Sequence, residues 1–157
     1  MKSFATLITF LFMIFCCTAS CSKNDKATSA KNKDVENTNP STSKVKITVG
    51  TNVCTATLYD NPSAIAFRAR LPFTINMTEL NGNEKYYDFA DPLPTSASVG
   101  GNIKVGDLTL YGNNTLVLFY KNFSTSYTYT KLGYVDNPTG LATALGNGNA
   151  LVKFEYN

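Results

Sequence analysis

The chain has 157 residues, 43% of them apolar, with nine Tyr, ten Phe and no Trp, which suits one modest β-leaning domain plus extra segments. Histidine is absent, so no mechanism that needs imidazole as base, proton shuttle or metal ligand is available, and neither Ser/His/Asp nor Cys/His constellations can be built. The formal charge of +3 comes mostly from outside the folded part: from Lys44 onward nine Lys/Arg face eight Asp/Glu, with no cation cluster to displace counterions from phosphates, so nucleic acid is not an expected partner.

Residues 1–21, MKSFATLITFLFMIFCCTASC, follow a secretory signal plan: a basic Lys2, an apolar run from Phe4 to Phe15, then small residues ending at Cys21. The apolar run is too short to read as a membrane span with polar flanks. The segment TASC resembles the bacterial lipobox, in which a small residue precedes a Cys that becomes lipidated, although Thr18 stands where the usual Leu would be. That resemblance implies lipidation at Cys21 and a membrane anchor in the bacterial cell envelope, facing periplasm or cell surface. Acyl chains stabilise such an anchor by about 0.8 kcal/mol per buried methylene. Cys16 and Cys17 leave with the signal, so Cys54 is the one thiol of the mature domain; it has no disulfide partner and reads as a core residue. Residues 22–43 are polar, mixed in charge and nearly free of large apolar side chains, the composition of a disordered tether.

The domain is expected over 44–157. KVKITVG (44–50) alternates with Val45, Ile47 and Val49 on one face, and TNVCTATLYD (51–60) returns after a Gly-Thr-Asn turn, so the two form a hairpin. The period then changes. Asn61 and Pro62 open a helix with Ala64, Ile65, Phe67 and Leu71 as its apolar stripe; Arg68 borders the stripe and Arg70 faces away. Strands follow at 72–80, with Phe73, Ile75 and Met77 inward, and at 84–90, joined by the turn NGN. Residues 91–107 read as a long loop with two prolines and a Gly pair. DLTLYGNNTLVLFYK is a hairpin whose second strand, Leu116 to Tyr120, is continuously apolar, as in a strand covered on both faces. Ser124 to Val135 makes a further strand. Asn137 and Pro138 start a second helix with Leu141 and Leu145 as its stripe and Gly146 as its end, and ALVKFEY closes the chain. About eight strands and two short helices argue for a mainly β, closed barrel with helical caps.

DNPSAIAFRARLPFTINM, GDLTLYGNNTLVLFYKNFSTSYTYTKLG and NPTGLATALGNG together resemble the bacterial cyclophilin-like domain family, roughly from Lys46 to Tyr156. The resemblance implies a closed eight-stranded barrel with two short capping helices, no cofactor and little assigned chemistry. True cyclophilins isomerise prolyl bonds with an Arg after Phe-His, aided by Gln, Trp and His groups. Here Phe67-Arg68 has no intervening His, and the chain holds no Trp, His or Gln.

Three functional readings stand, one of them a structural partner domain that docks on another envelope protein. The first is a non-catalytic, membrane-tethered binding module that takes an extended peptide or a small apolar ligand in a rim groove. Its candidate surface is Tyr120, Phe123, Tyr127 and Tyr129, because Tyr offers a large contact area with a hydroxyl handle. Cross-strand aromatic pairing within the sheet is the plainer alternative. The second reading is a degenerate prolyl isomerase using Arg68. Tyr127 and Lys131 have the spacing of short-chain dehydrogenases but lack a Gly-rich fingerprint. Asp88, Asp91 and Asp107 flank the long loop without the spacing of a calcium site, so no metal is expected.

Overall fold

The structure is a computed structural model and describes residues 44–157; the expected signal segment 1–21, the expected lipidation site Cys21 and the expected tether 22–43 lie outside the described residues. Nine antiparallel strands and two short helices follow in order: β1 (Lys44–Val49), β2 (Asn52–Leu58), α1 (Pro62–Arg68), β3 (Phe73–Leu80), β4 (Glu84–Asp88), β5 (Ser98–Ile103), β6 (Asp107–Tyr111), β7 (Thr115–Phe119), β8 (Phe123–Val135), α2 (Leu141–Leu145) and β9 (Ala150–Tyr156). Eight of them close into a ring in the order β2-β1-β9-β3-β4-β7-β6-β8, sealed by pairing of β2 with the end of β8.

Period two drives the ring. Val45, Ile47 and Val49 point inward from β1, and Ala56 and Leu58 do so from β2. Gly50 supplies the positive φ of 58° that the tight β1–β2 turn needs. The seam between β2 and β8 depends on a second glycine. A Cβ on Gly133 would lie 2.3 Å from the Thr57 carbonyl oxygen, so only a residue without a side chain lets the strands meet. Asp136, one residue past β8, accepts hydrogen bonds from Lys44 and Thr57 and ties three strands together at the same edge.

α1 begins as the sequence indicates. The Asn61 side chain accepts a hydrogen bond from the Ala64 amide at 2.9 Å, and Pro62 occupies the first turn. Its buried face is not the expected one. Ser63, Ala64 and Phe67 face the core, whereas Ile65 is 60% exposed. Consecutive helical residues are turned by about 100°, so a seven-residue helix anchored through Ala64 and Phe67 carries Ile65 away from the core. Phe67 meets Phe73 and Phe154 edge-on inside the ring.

α2 also differs. It starts at Leu141, with Gly140 at φ 82° as its cap, while Asn137 closes only a local turn through the Thr139 amide. Leu141 and Leu145 are buried as expected, and Gly146 ends the helix.

The third difference is the segment 91–107, which contains β5. Its Gly pair disguises a strand that pairs with the first half of β8 around a bulge between Val99 and Gly101. A Cβ on Gly100 would stand 2.9 Å from Thr125 and 3.0 Å from Tyr129, so the glycine permits a close approach. This extra strand lies beyond the ring. Ile103 from β5 and Tyr129 from β8 form a second apolar cluster with Val117 and Phe119, flanked by Tyr86 and Phe123. β7 is therefore buried on both sides: Leu116 and Leu118 join the ring interior, Val117 and Phe119 the outer cluster.

Candidate functional site

β4 carries two different chemistries on its two faces. Inward, Lys85 is fully buried, and its ammonium donates to the Glu79 carboxylate and to the carbonyls of Gly146 at 2.9 Å and Gly148 at 2.6 Å. It also sits 4.9 Å from the Tyr120 ring centroid. Glu79 further accepts from the Tyr120 hydroxyl and the Gly82 amide, each at 2.8 Å. Burial acts to raise the Glu79 pKa, but the hydrogen bonds from Lys85, Tyr120 and Gly82 outweigh it and hold the carboxyl below its ordinary range. Tyr120 is pushed up to about 12 by burial and by the hydrogen bond it gives to Glu79. This is a satisfied polar cluster at the wall of the core.

Outward, β4 presents Glu84, Tyr86 and Asp88 in a row. Pairing places Thr115 and Val117 of β7 beside them, with Tyr111 of β6 and Tyr129 of β8 next across the sheet. Together with Tyr127 and the rim residues Leu80 and Asn81, they line a groove of about 390 Å³, open to solvent along one side. The volume lies within the usual range of ligand sites, roughly 300–1,000 Å³. Its aromatic wall is organised: Tyr111 meets Tyr127 edge-on at 6.2 Å and Tyr129 at a tilt at 5.7 Å, and Phe119 backs Tyr129 edge-on at 5.5 Å.

The groove is electronegative. Asp88 accepts a hydrogen bond from the Thr115 hydroxyl at 2.6 Å. Glu84 is only 8% exposed, and among the described residues no hydrogen bond or ion pair reaches its carboxylate. Burial, then the negative Glu79, raise its pKa. Tyr129 is pushed up to about 12 by burial, then by Glu84 and by Tyr111 and Tyr127. Among the described residues no Lys or Arg lines the groove.

The sequence candidates separate accordingly. Tyr127, 64% exposed, and Tyr129, buried, both line the groove. Tyr120 points into the core on the same face as Leu116 and Leu118, and Phe123 packs on Phe119 in the outer cluster. Arg68 lies away from the groove: its guanidinium stands 5.2 Å over the Tyr156 ring, and its buried Nε has no hydrogen-bond partner among the described residues. Arg70 donates to the carbonyls of Asp91 and Pro92 and stacks over Phe89 at 4.6 Å, fastening the segment after β4. Cys54 is half-buried against the core, where burial raises its thiol pKa and disfavours the reactive thiolate. Among the described residues no three His, Cys, Asp or Glu gather as metal ligands. Glu84, Tyr86 and Tyr111 were not singled out by sequence; the alternation of EKYYD held the signal, since it places Glu84, Tyr86 and Asp88 on one face.

A closed eight-stranded antiparallel ring with two short helices packed on its core defines a cyclophilin-like domain. The chain belongs to the cyclophilin-like family, whose model matches residues 47–155. Among solved structures, it is similar to the solution structure of a hypothetical protein from Archaeoglobus fulgidus, with a TM-score of 0.55 and 16% sequence identity over 74% of this chain and 95% of that one. At that identity the likeness is one of fold. No curated protein matches the chain.

Proposed function

We propose that this protein is a lipid-anchored module of the bacterial cell envelope whose cyclophilin-like domain binds a ligand in the outer groove without transforming it. The observation that carries the reading is the solvent-open groove of about 390 Å³ with four tyrosines in its wall. Rigid Tyr rings give contact area with little entropy to lose, which suits an extended peptide or a small apolar ligand. A chain without histidine supports binding rather than acid–base chemistry. The lipobox-like TASC supports attachment through Cys21, with 22–43 as the tether.

Titration of the full chain in a neutral detergent with a panel of short peptides and small apolar compounds, followed by tyrosine-ring NMR, tests the groove. Shifts confined to Tyr86, Tyr111, Tyr127 and Tyr129 are expected; shifts scattered over the ring, or none, contradict it. Labelled palmitate should enter the wild type and not Cys21→Ala. Equal labelling, or no labelling of either, removes the anchor.

A further inference from the structure

We infer that the occupant of the groove brings its own positive charge: a lysine or arginine side chain of an extended peptide, with its ammonium or guanidinium against Glu84 and its stem along the tyrosine wall. This rests on the groove being a binding site and names what it selects.

The first observation is Glu84 itself. The residue is 8% exposed and lines the cavity, no side chain among the described residues pairs with it, and its carboxylate oxygens are not among the fully buried unpaired atoms, so the surface it keeps is turned to the groove, where a partly desolvated charge gains most from an added partner. Its one identified charged influence, Glu79, is negative and disfavours ionisation further. The cations of the neighbourhood are otherwise placed. Lys85 faces the interior and is held by Glu79 and two carbonyls. Lys131 lines a separate small cavity beside Thr109 and Tyr59, and Lys121 stands 6.0 Å from the buried Tyr120 ring. A cation supplied by a ligand completes Glu84.

The second observation is the wall. The electron-rich faces of tyrosine rings attract ammonium and guanidinium groups while also accepting their alkyl stems. The third is length and openness. Glu84 and Asp88 lie four residues apart on one face of β4, about 13 Å at the usual strand rise. That is longer than a single alkylammonium ion, and the open side lets a chain run past while one side chain enters. Asp88 places a second negative charge at the far end of the row, where its hydrogen bond from Thr115 orients it.

The test uses the full chain in a neutral detergent and five pentapeptides of the form acetyl-Gly-Ala-X-Ala-Gly-amide, with X as Lys, Arg, norleucine, Gln or Glu, together with butylammonium alone. Lysine and arginine peptides are expected to shift the Tyr127 and Tyr129 rings and to bind about tenfold more tightly than the norleucine peptide, the scale of one hydrogen-bonded charge. Glu84→Gln should erase that difference, and butylammonium should bind more weakly than the lysine peptide. Should Glu84→Gln fail to fold, the wild-type preference for lysine must still shrink as salt is raised. Norleucine binding as tightly as lysine in the same groove overturns the cation and leaves the groove standing. Butylammonium matching the lysine peptide overturns the peptide occupant. No probe moving Tyr127 or Tyr129 removes the groove and this inference together.

Discussion

Glu84 and Lys85 are neighbours on one strand, yet they live in opposite circumstances. Lys85 is buried in the interior with a carboxylate, two carbonyls and a tyrosine ring around it. Glu84 is largely covered on the outer face, and among the described residues no side chain pairs with its groove-facing carboxylate. A buried charge that is fully answered within the chain reads as architecture. A charge turned to a cavity without a counter-charge in its lining reads as a candidate binding group. The same strand thus separates what holds the ring together from what the ring offers to a ligand.

The comparison breaks most visibly at Lys85. Lys85→Met removes the cation that answers Glu79 and leaves two helix-end carbonyls without a donor; denaturant unfolding should show a loss of about 3–5 kcal/mol. If stability is unchanged, the inner cluster is not architecture. Tyr120→Phe deletes one hydrogen bond to a charged acceptor and should lower stability by about 1.5–3 kcal/mol, with no change in groove binding.

Glu84→Gln should do the reverse. Removing a partly desolvated charge should leave stability level or raise it by less than about 1 kcal/mol, while ligand affinity falls. The two carboxylates should also respond to pH with opposite sign. Glu79 has a lowered folded pKa, so its contribution is present above the ordinary Glu range and is lost as pH falls through the lowered value. Glu84 has a raised folded pKa, so it favours the folded state at low pH, and that benefit is lost as pH rises through the raised value. Unfolding of Glu84→Gln against wild type, stepped from acid to neutral pH, should show the variant gaining relative stability as pH rises. A difference independent of pH removes the claim. Tyr127→Ala, at an exposed position, should change stability by no more than about 0.5 kcal/mol and weaken peptide binding by a small factor.

The ring was largely legible in the sequence because period two is a direct consequence of strand geometry. Val45, Ile47 and Val49, or Leu116 and Leu118, declare their face without any tertiary knowledge. What failed to show was set by contacts between distant segments. β5 hides behind Gly100, which Thr125 and Tyr129 crowd, and Gly101, whose φ of 62° favours glycine. Asn137-Pro138 copies the opening of α1, but Gly140 at φ 82° delays α2 by one turn.

The site was legible only in part for the same reason. Tyr127 and Tyr129 stood out as aromatics on a strand. Tyr120 belongs with the interior because it continues the face of Leu116 and Leu118. Glu84 looks like any solvated acid in sequence; only the tyrosines that β6 and β8 bring up, Tyr111, Tyr127 and Tyr129, turn its face of β4 into the side of a groove.

The most direct measurement is the affinity of wild type and Glu84→Gln for the lysine pentapeptide, taken on samples whose unfolding free energies are determined in parallel. An affinity loss of about tenfold with undiminished stability is the predicted result. Equal affinity in the two proteins, both well folded, would contradict the claim that Glu84 on the outer face of β4 meets the ligand's positive charge.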